Sequence, residues 1–128
     1  MAGREPVEKK IIYYQDTKGR KYVKEFISSF DEKTQGKILA RIEFLGRHWY
    51  ELRRPIVDKV DKDLYELRVE FAWNNVRIIY AYMFKSYIVL LHGFRKKTDR
   101  IPENDKSKAR KRMVDFCARY SNGLIRLP

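Results

Sequence analysis

The sequence holds one cysteine, two histidines, six glycines and four prolines. A single thiol, Cys117, excludes an intrachain disulfide and a thiolate zinc cluster. It sits in a helix-period apolar pattern, where a small buried hydrophobe is the expected role. No apolar run reaches the roughly 18 residues a membrane span needs. The first ten residues, MAGREPVEKK, lack the apolar stretch of a signal peptide. The sequence therefore predicts a cytoplasmic protein with no membrane partner. His48 and His92 are far apart, and no HxH, HExxH or carboxylate cluster accompanies them, so no metal site is expected. P-loop, GxGxxG and GxSxG motifs are absent, and no cofactor is implied.

The chain does carry apolar residues and positive charge. Its 128 residues are 44% hydrophobic and 14% aromatic, too rich for a disordered tail or linker. The length suits one domain over residues 1–128, with 120–128 as a C-terminal tail, and allows a core without staples. Lys and Arg number 29 against 17 Asp and Glu, leaving +12 and pointing to polyanionic partners.

The prolines, Pro6, Pro55, Pro102 and Pro128, fall between or outside periodic segments. KIIYYQD, from Lys10 to Asp16, reads as a strand. Tyr22, Val23, Phe26, Ile27 and Phe30 line one face of a helix. Asp31 is a natural N-cap for a second, carrying Ile38, Ile42, Leu45 and Trp49, with His48 at its end. Such a closely joined pair predicts a helical hairpin. LYELRVEF, from Leu64, alternates as a half-exposed strand. AWNN (Ala72–Asn75) reads as a hairpin, with Asn74-Asn75 tolerating left-handed backbone. A second strand follows from Val76 to Phe84, then a Lys85-Ser86 turn. The third strand, Tyr87–Phe94, is nearly all apolar and so covered on both faces. Pro102–Asp105 opens a final helix, with Ala109, Met113, Phe116, Cys117 and Tyr120 on its apolar face. Asn122-Gly123 stops it. The order β-α-α-β-β-β-α predicts an α+β domain of two layers, helices on one side of a small antiparallel sheet, the first strand rejoining beside the last.

Half of the net charge lies between Arg95 and Arg112, where nine bases meet three acids. The run starts where a central strand leaves the sheet. By pleat parity Arg68 and Arg77 can come onto one face across a hairpin, with the register open by one residue from the loop length. They either pair with Glu66 and Glu70 or contact a polyanion. His92, at a strand end beside this run, is either a hydrogen-bonded core group or a proton-transfer group near pH 7. Of the strand tyrosines, one or two on a polar face could stack a base.

The ordered set LYELR (64–68), VRIIY (76–80), VLLHGFRKKT (89–98), Pro102 and Ala109 resembles the RelE/HigB superfamily of toxin–antitoxin toxins, in its phage-derived HigB-like branch. The resemblance implies a ribosome-dependent endoribonuclease, an mRNA interferase. It implies a cognate antitoxin, commonly with a helix-turn-helix domain, that covers the toxin's cationic face and brings the pair to operator DNA. RNA carries its own nucleophile, the 2′-hydroxyl. Arg77 then matches the family's strand arginine at the phosphate, Arg68 is a neighbouring charge, and Lys96 matches a second cation, with Lys97 the alternative. Arg95, Lys97 and Arg100 would bind RNA. Some relatives use a tyrosine or histidine near the C-terminal end for proton transfer. Asp99–Glu103 offers neither, which leaves His92 or Tyr120. Two other readings are a ParE-like gyrase-poisoning toxin and a non-catalytic nucleic-acid-binding module.

Overall fold

Alternating and continuous apolar runs in the second half of the chain build the sheet around which everything else packs. A computed structural model describes residues 7–128, so the reading of Met1–Pro6 lies outside the described residues. The elements are β1 (Lys10–Tyr13), α1 (Tyr22–Ser28), α2 (Glu32–His48), β2 (Val57–Asp61), β3 (Leu64–Phe71), β4 (Asn74–Met83), β5 (Tyr87–Arg95) and α3 (Glu103–Ser121). The sheet order is β1-β5-β4-β3-β2. β2 to β5 form an antiparallel meander, and β1 pairs in parallel with β5. The α+β class and the return of the first strand beside the last are as expected.

Three features depart from the sequence expectation. β2 adds a fifth strand, at the edge, where the sequence showed only a loop. Its VDKVD is short and charged, as edge strands often are. The helices also occupy both faces of the sheet. α1 and α2 cover Leu67, Val69, Val76, Ile78, Tyr80, Ile88 and Leu90. α3 covers the opposite face, where Ala109 and Phe116 pack on Ile79, Ala81, Met83, Val89 and Leu91. The architecture is three layers rather than two. The left-handed residues lie elsewhere too, at Asp63 (φ 62°) between β2 and β3, at Ala72 (φ 55°) between β3 and β4, and at Phe84 and Lys85 between β4 and β5.

A β-bulge in β5 decides which side chains face α3. Tyr80 pairs with Leu90 but Ile79 pairs with His92, so Leu91 is an extra residue. Before it, Val89 and Leu91 face α3. Beyond it, the parity inverts: His92 and Phe94 face α3, while Gly93 and Arg95 turn to α1. Gly93 lies against the Phe26 ring, where a Cβ would stand 2.4 Å from a ring carbon.

The helix ends follow local chemistry. Asp31 caps α2 by accepting from the Thr34 amide at 3.0 Å. Gly123 (φ 73°) turns the chain out of α3 as the Leu124 amide donates to the Arg119 carbonyl at 2.8 Å. The tail begins after Ser121, a little later than expected. Its Ile125 and Leu127 pack on the α3-side core, and Leu124 is exposed. Gly93→Ala is expected to lower stability by about 1–3 kcal/mol, since the ring must shift within a packed core. Urea denaturation checks this, and an unchanged midpoint would show that Phe26 yields freely.

Candidate functional site

Arg68 and Arg77 are direct cross-strand partners on the α3 face. Two like charges so placed repel, and a buried carboxylate resolves the conflict. Glu66 Oε2 accepts from Arg68 Nη2 at 3.3 Å, and its Oε1 lies 3.1 Å from Arg77 Nε as an ion pair. Arg68 Nη2 also reaches Asp58 at 3.3 Å, which in turn holds Arg54 at 2.9 Å. The Arg54 guanidinium holds the Asp58 carboxyl below its ordinary range. Arg77 Nη2 lies 3.5 Å from Glu70, and its Nη1 donates to the Val76 carbonyl at 3.0 Å and to Asn75. A chain of alternating charge thus runs across β2, β3 and β4. Arg77 and Glu66 are buried, and Arg68 is partly open.

A cleft of about 400 Å³ opens beside Arg68, between β2–β3 and the segment leading from β5 into α3. Lys59, Arg68, Lys96, Arg100 and Lys106 line it with Glu66, Asp99 and Glu103. Among the described residues, no carboxylate lies within ion-pair distance of Lys59, Lys96 or Arg100. Lys106 pairs with Glu103 at 3.5 Å, and Arg68 Nε is buried without a hydrogen-bond partner. The bulge brings Lys96 to this side.

The expected residues therefore separate. Arg68, Lys96 and Arg100 come together in the cleft. Arg77 stands behind Glu66 and does not line it. Arg95 lies on the other face, its guanidinium 4.0 Å above the Phe30 ring and bonded to Asn74. Lys97 borders a neighbouring groove with Phe94 and Asp105. Lys59 and Lys106 were not singled out as site residues: β2 was unseen, and Lys106 was one base among nine. Only the three-dimensional closure of β2 onto α3 reveals them.

His92 is clamped rather than exposed to a substrate. Its Nε2 lies 2.6 Å from Asp105 Oδ1. Arg112 Nη1 donates to its Nδ1 at 3.1 Å and to the Leu91 carbonyl at 2.9 Å. With Nδ1 accepting, the ring is the neutral Nε2–H tautomer. The ring is buried and hydrogen-bonded at both nitrogens. Tyr120 stacks on Phe84, 4.1 Å between centroids, at the far end of α3. Neither group offered for proton transfer lines the cleft. Tyr65, Tyr80 and Tyr82 pack on one another against the helical-hairpin side of the core. Burial pushes the Cys117 thiol up.

Residues 25–114 match the family model described as phage derived protein Gp49-like (DUF891), more than half of the chain. The chain belongs to the Gp49-like phage-derived protein family. This is a toxin-like, phage-derived family, which agrees with the sequence resemblance at that coarser level. A search of curated proteins returned no match. Among the described residues, no helix of this Gp49-like protein is long and apolar enough to cross a membrane.

Two predictions follow from the geometry of this Gp49-like chain. Glu66→Gln leaves two inner guanidiniums without their shared counter-charge, and is expected to cost about 3 kcal/mol. A loss under about 1 kcal/mol in urea denaturation would mean the network behaves as an exposed pair. Burial, partly opposed by Asp105, holds the His92 imidazole below its ordinary 6.5. On acidification the unfolded chain is protonated first. His92's contribution is thus intact above pH 6.5 and is lost as the pH falls through the folded-state value. The urea midpoint of the wild type should fall more steeply between about pH 7 and 5 than that of His92→Gln, and parallel slopes would refute the assignment.

Proposed function

We propose that this protein is the toxin of a toxin–antitoxin pair and an endoribonuclease that cuts mRNA on the ribosome. The observation that supports this reading most is the cleft itself, where five cations converge and three of them have no carboxylate partner among the described residues. Such a site fits a phosphodiester backbone. In the proposed reaction the 2′-oxygen attacks the adjacent phosphorus as its proton leaves to a base. The bond to the 5′-oxygen breaks, that oxygen gains a proton, and a 2′,3′-cyclic phosphate results. Arg68, Lys96 and Arg100 hold the phosphate and offset the charge that develops on its non-bridging oxygens. Arg77 acts one step removed, by fixing Glu66 and through it Arg68. Lys97 borders the approach. The antitoxin is an acidic protein segment drawn to the +12 surface and seated across this cleft.

The test pairs purified ribosomes and a translated mRNA with the wild type, Lys96→Ala and Arg100→Ala, mapping the new 5′ ends. The wild type is expected to give discrete cuts inside translated codons, and each variant to cut roughly a hundredfold more slowly with its fold intact. Growth arrest in a bacterial host without RNA cuts would replace this reading with that of a gyrase-poisoning toxin. RNA binding with neither cuts nor arrest would leave a binding module.

A further inference from the structure

The most exposed large hydrophobic side chain is Trp73, fully open to solvent at the tip of the β3–β4 hairpin. It buries nothing and so does not contribute to the core. The hairpin nonetheless holds it out on a two-residue tip whose other member, Ala72, is in the left-handed region that L-residues avoid. The base of the tip is braced on both sides. Asn74 accepts from Arg95, and the Lys96 amide donates to the Asn75 carbonyl at 2.8 Å. Opposite Asn74, Phe71 lies 5.4 Å below the Lys37 ammonium.

Trp73 is therefore an exposed aromatic plane on a hairpin whose flanking residues are tied to cationic ones: Asn74 to Arg95, Asn75 to the Lys96 backbone, and Phe71 to Lys37. The acid on this end of the hairpin, Glu70, is engaged by Arg77. Lys96 joins the two places, its amide bonded to the hairpin at Asn75 and its residue lining the cleft. A flat π-face beside backbone-binding cations is the arrangement that stacks a nucleobase of an unpaired strand. An acidic protein segment would meet the cations but would leave the indole without a planar partner.

Resting on the reading of the cleft as an RNA site, we propose that Trp73 stacks a base of the bound single-stranded RNA, flanking the phosphate held by Lys96 and Arg100. This is a binding role that the tyrosines in the sheet, packed among themselves, cannot fill.

Fluorescence anisotropy tests it, with a labelled 2′-O-methyl RNA decamer, which cannot be cleaved through its 2′-oxygen, and an abasic backbone of equal length. Trp73 makes no core contact, so its variants fold. Trp73→Ala is expected to weaken decamer binding roughly tenfold and Trp73→Phe by less than about threefold, with the abasic backbone bound equally by all. Equal decamer binding by Trp73→Ala overturns the proposal, as does an equal loss on the abasic backbone. If Lys96→Ala weakens both oligomers while Trp73→Ala weakens neither, the RNA reading stands and the stacking role falls. If the wild type binds neither oligomer, both fall. A Trp73→Ala variant that keeps RNA affinity but loses a partner protein makes Trp73 a protein contact and also overturns the proposal.

Discussion

Glu66 lies buried between two arginines that would otherwise repel each other across the β3–β4 ladder. Removing any one member leaves a desolvated charge, so the arrangement holds only when the strands pair in one register. A one-residue slip of β3 would move Glu66 and Arg68 to the α1–α2 face, among Val76, Ile78 and Leu90. The network extends through Asp58 to the edge strand β2 and through Glu70 toward the hairpin end. It thus ties a short, charged edge strand to the sheet in addition to the apolar contacts of Val57 and Val60.

This use of charge divides the cations into two populations. Arg54, Arg68 and Arg77 are largely neutralised within the fold. Lys59, Lys96 and Arg100 stand at the cleft without carboxylate partners among the described residues. The back of the cleft is held in place because the Arg68 guanidinium is bonded to Glu66 and Asp58, while the lining as a whole carries five cations against three acids. A phosphate entering the cleft would meet Lys59, Lys96 and Arg100 in front of an Arg68 held by Glu66 and Asp58. Preplaced donors of that kind need little reorganisation as charge develops.

Much of this was legible in the residues. Period-two alternation identified β3, and parity put Arg68 and Arg77 on one face. The apolar run in β5 asked for cover on both sides, and α3 supplies the second cover. That same run argued against the two-layer expectation, since helices on one side alone would leave Val89 and Leu91 in water. The bulge at Leu91 was not legible, because a single extra residue in an apolar strand changes no composition. Yet it sends His92 to α3, Arg95 to Phe30 and Lys96 to the cleft. The burial of Arg77 was equally hidden: parity gives a face, while the partner and the depth depend on Glu66 across the ladder and on α3 above it.

The cleft and the docking of α3 are mechanically one unit. The segment from Lys96 to Pro102 connects the end of β5 to the start of α3 and carries Arg100 and Asp99 on the way. Its far end is held by Asp105 on His92 and by Arg112 on the Leu91 carbonyl, within the first three turns of the helix. Lys106 sits one residue beyond Asp105. Any shift of α3 along the sheet must therefore move Arg100 and Lys106 together, relative to Arg68 and Lys59, which ride on the meander. A ligand that needs both sets at once will bind best when α3 is seated. By the same linkage it will seat α3 more firmly. The buried imidazole is the joint on which this depends: it accepts from Arg112 only while neutral, and it lies at the bulge that aims Lys96.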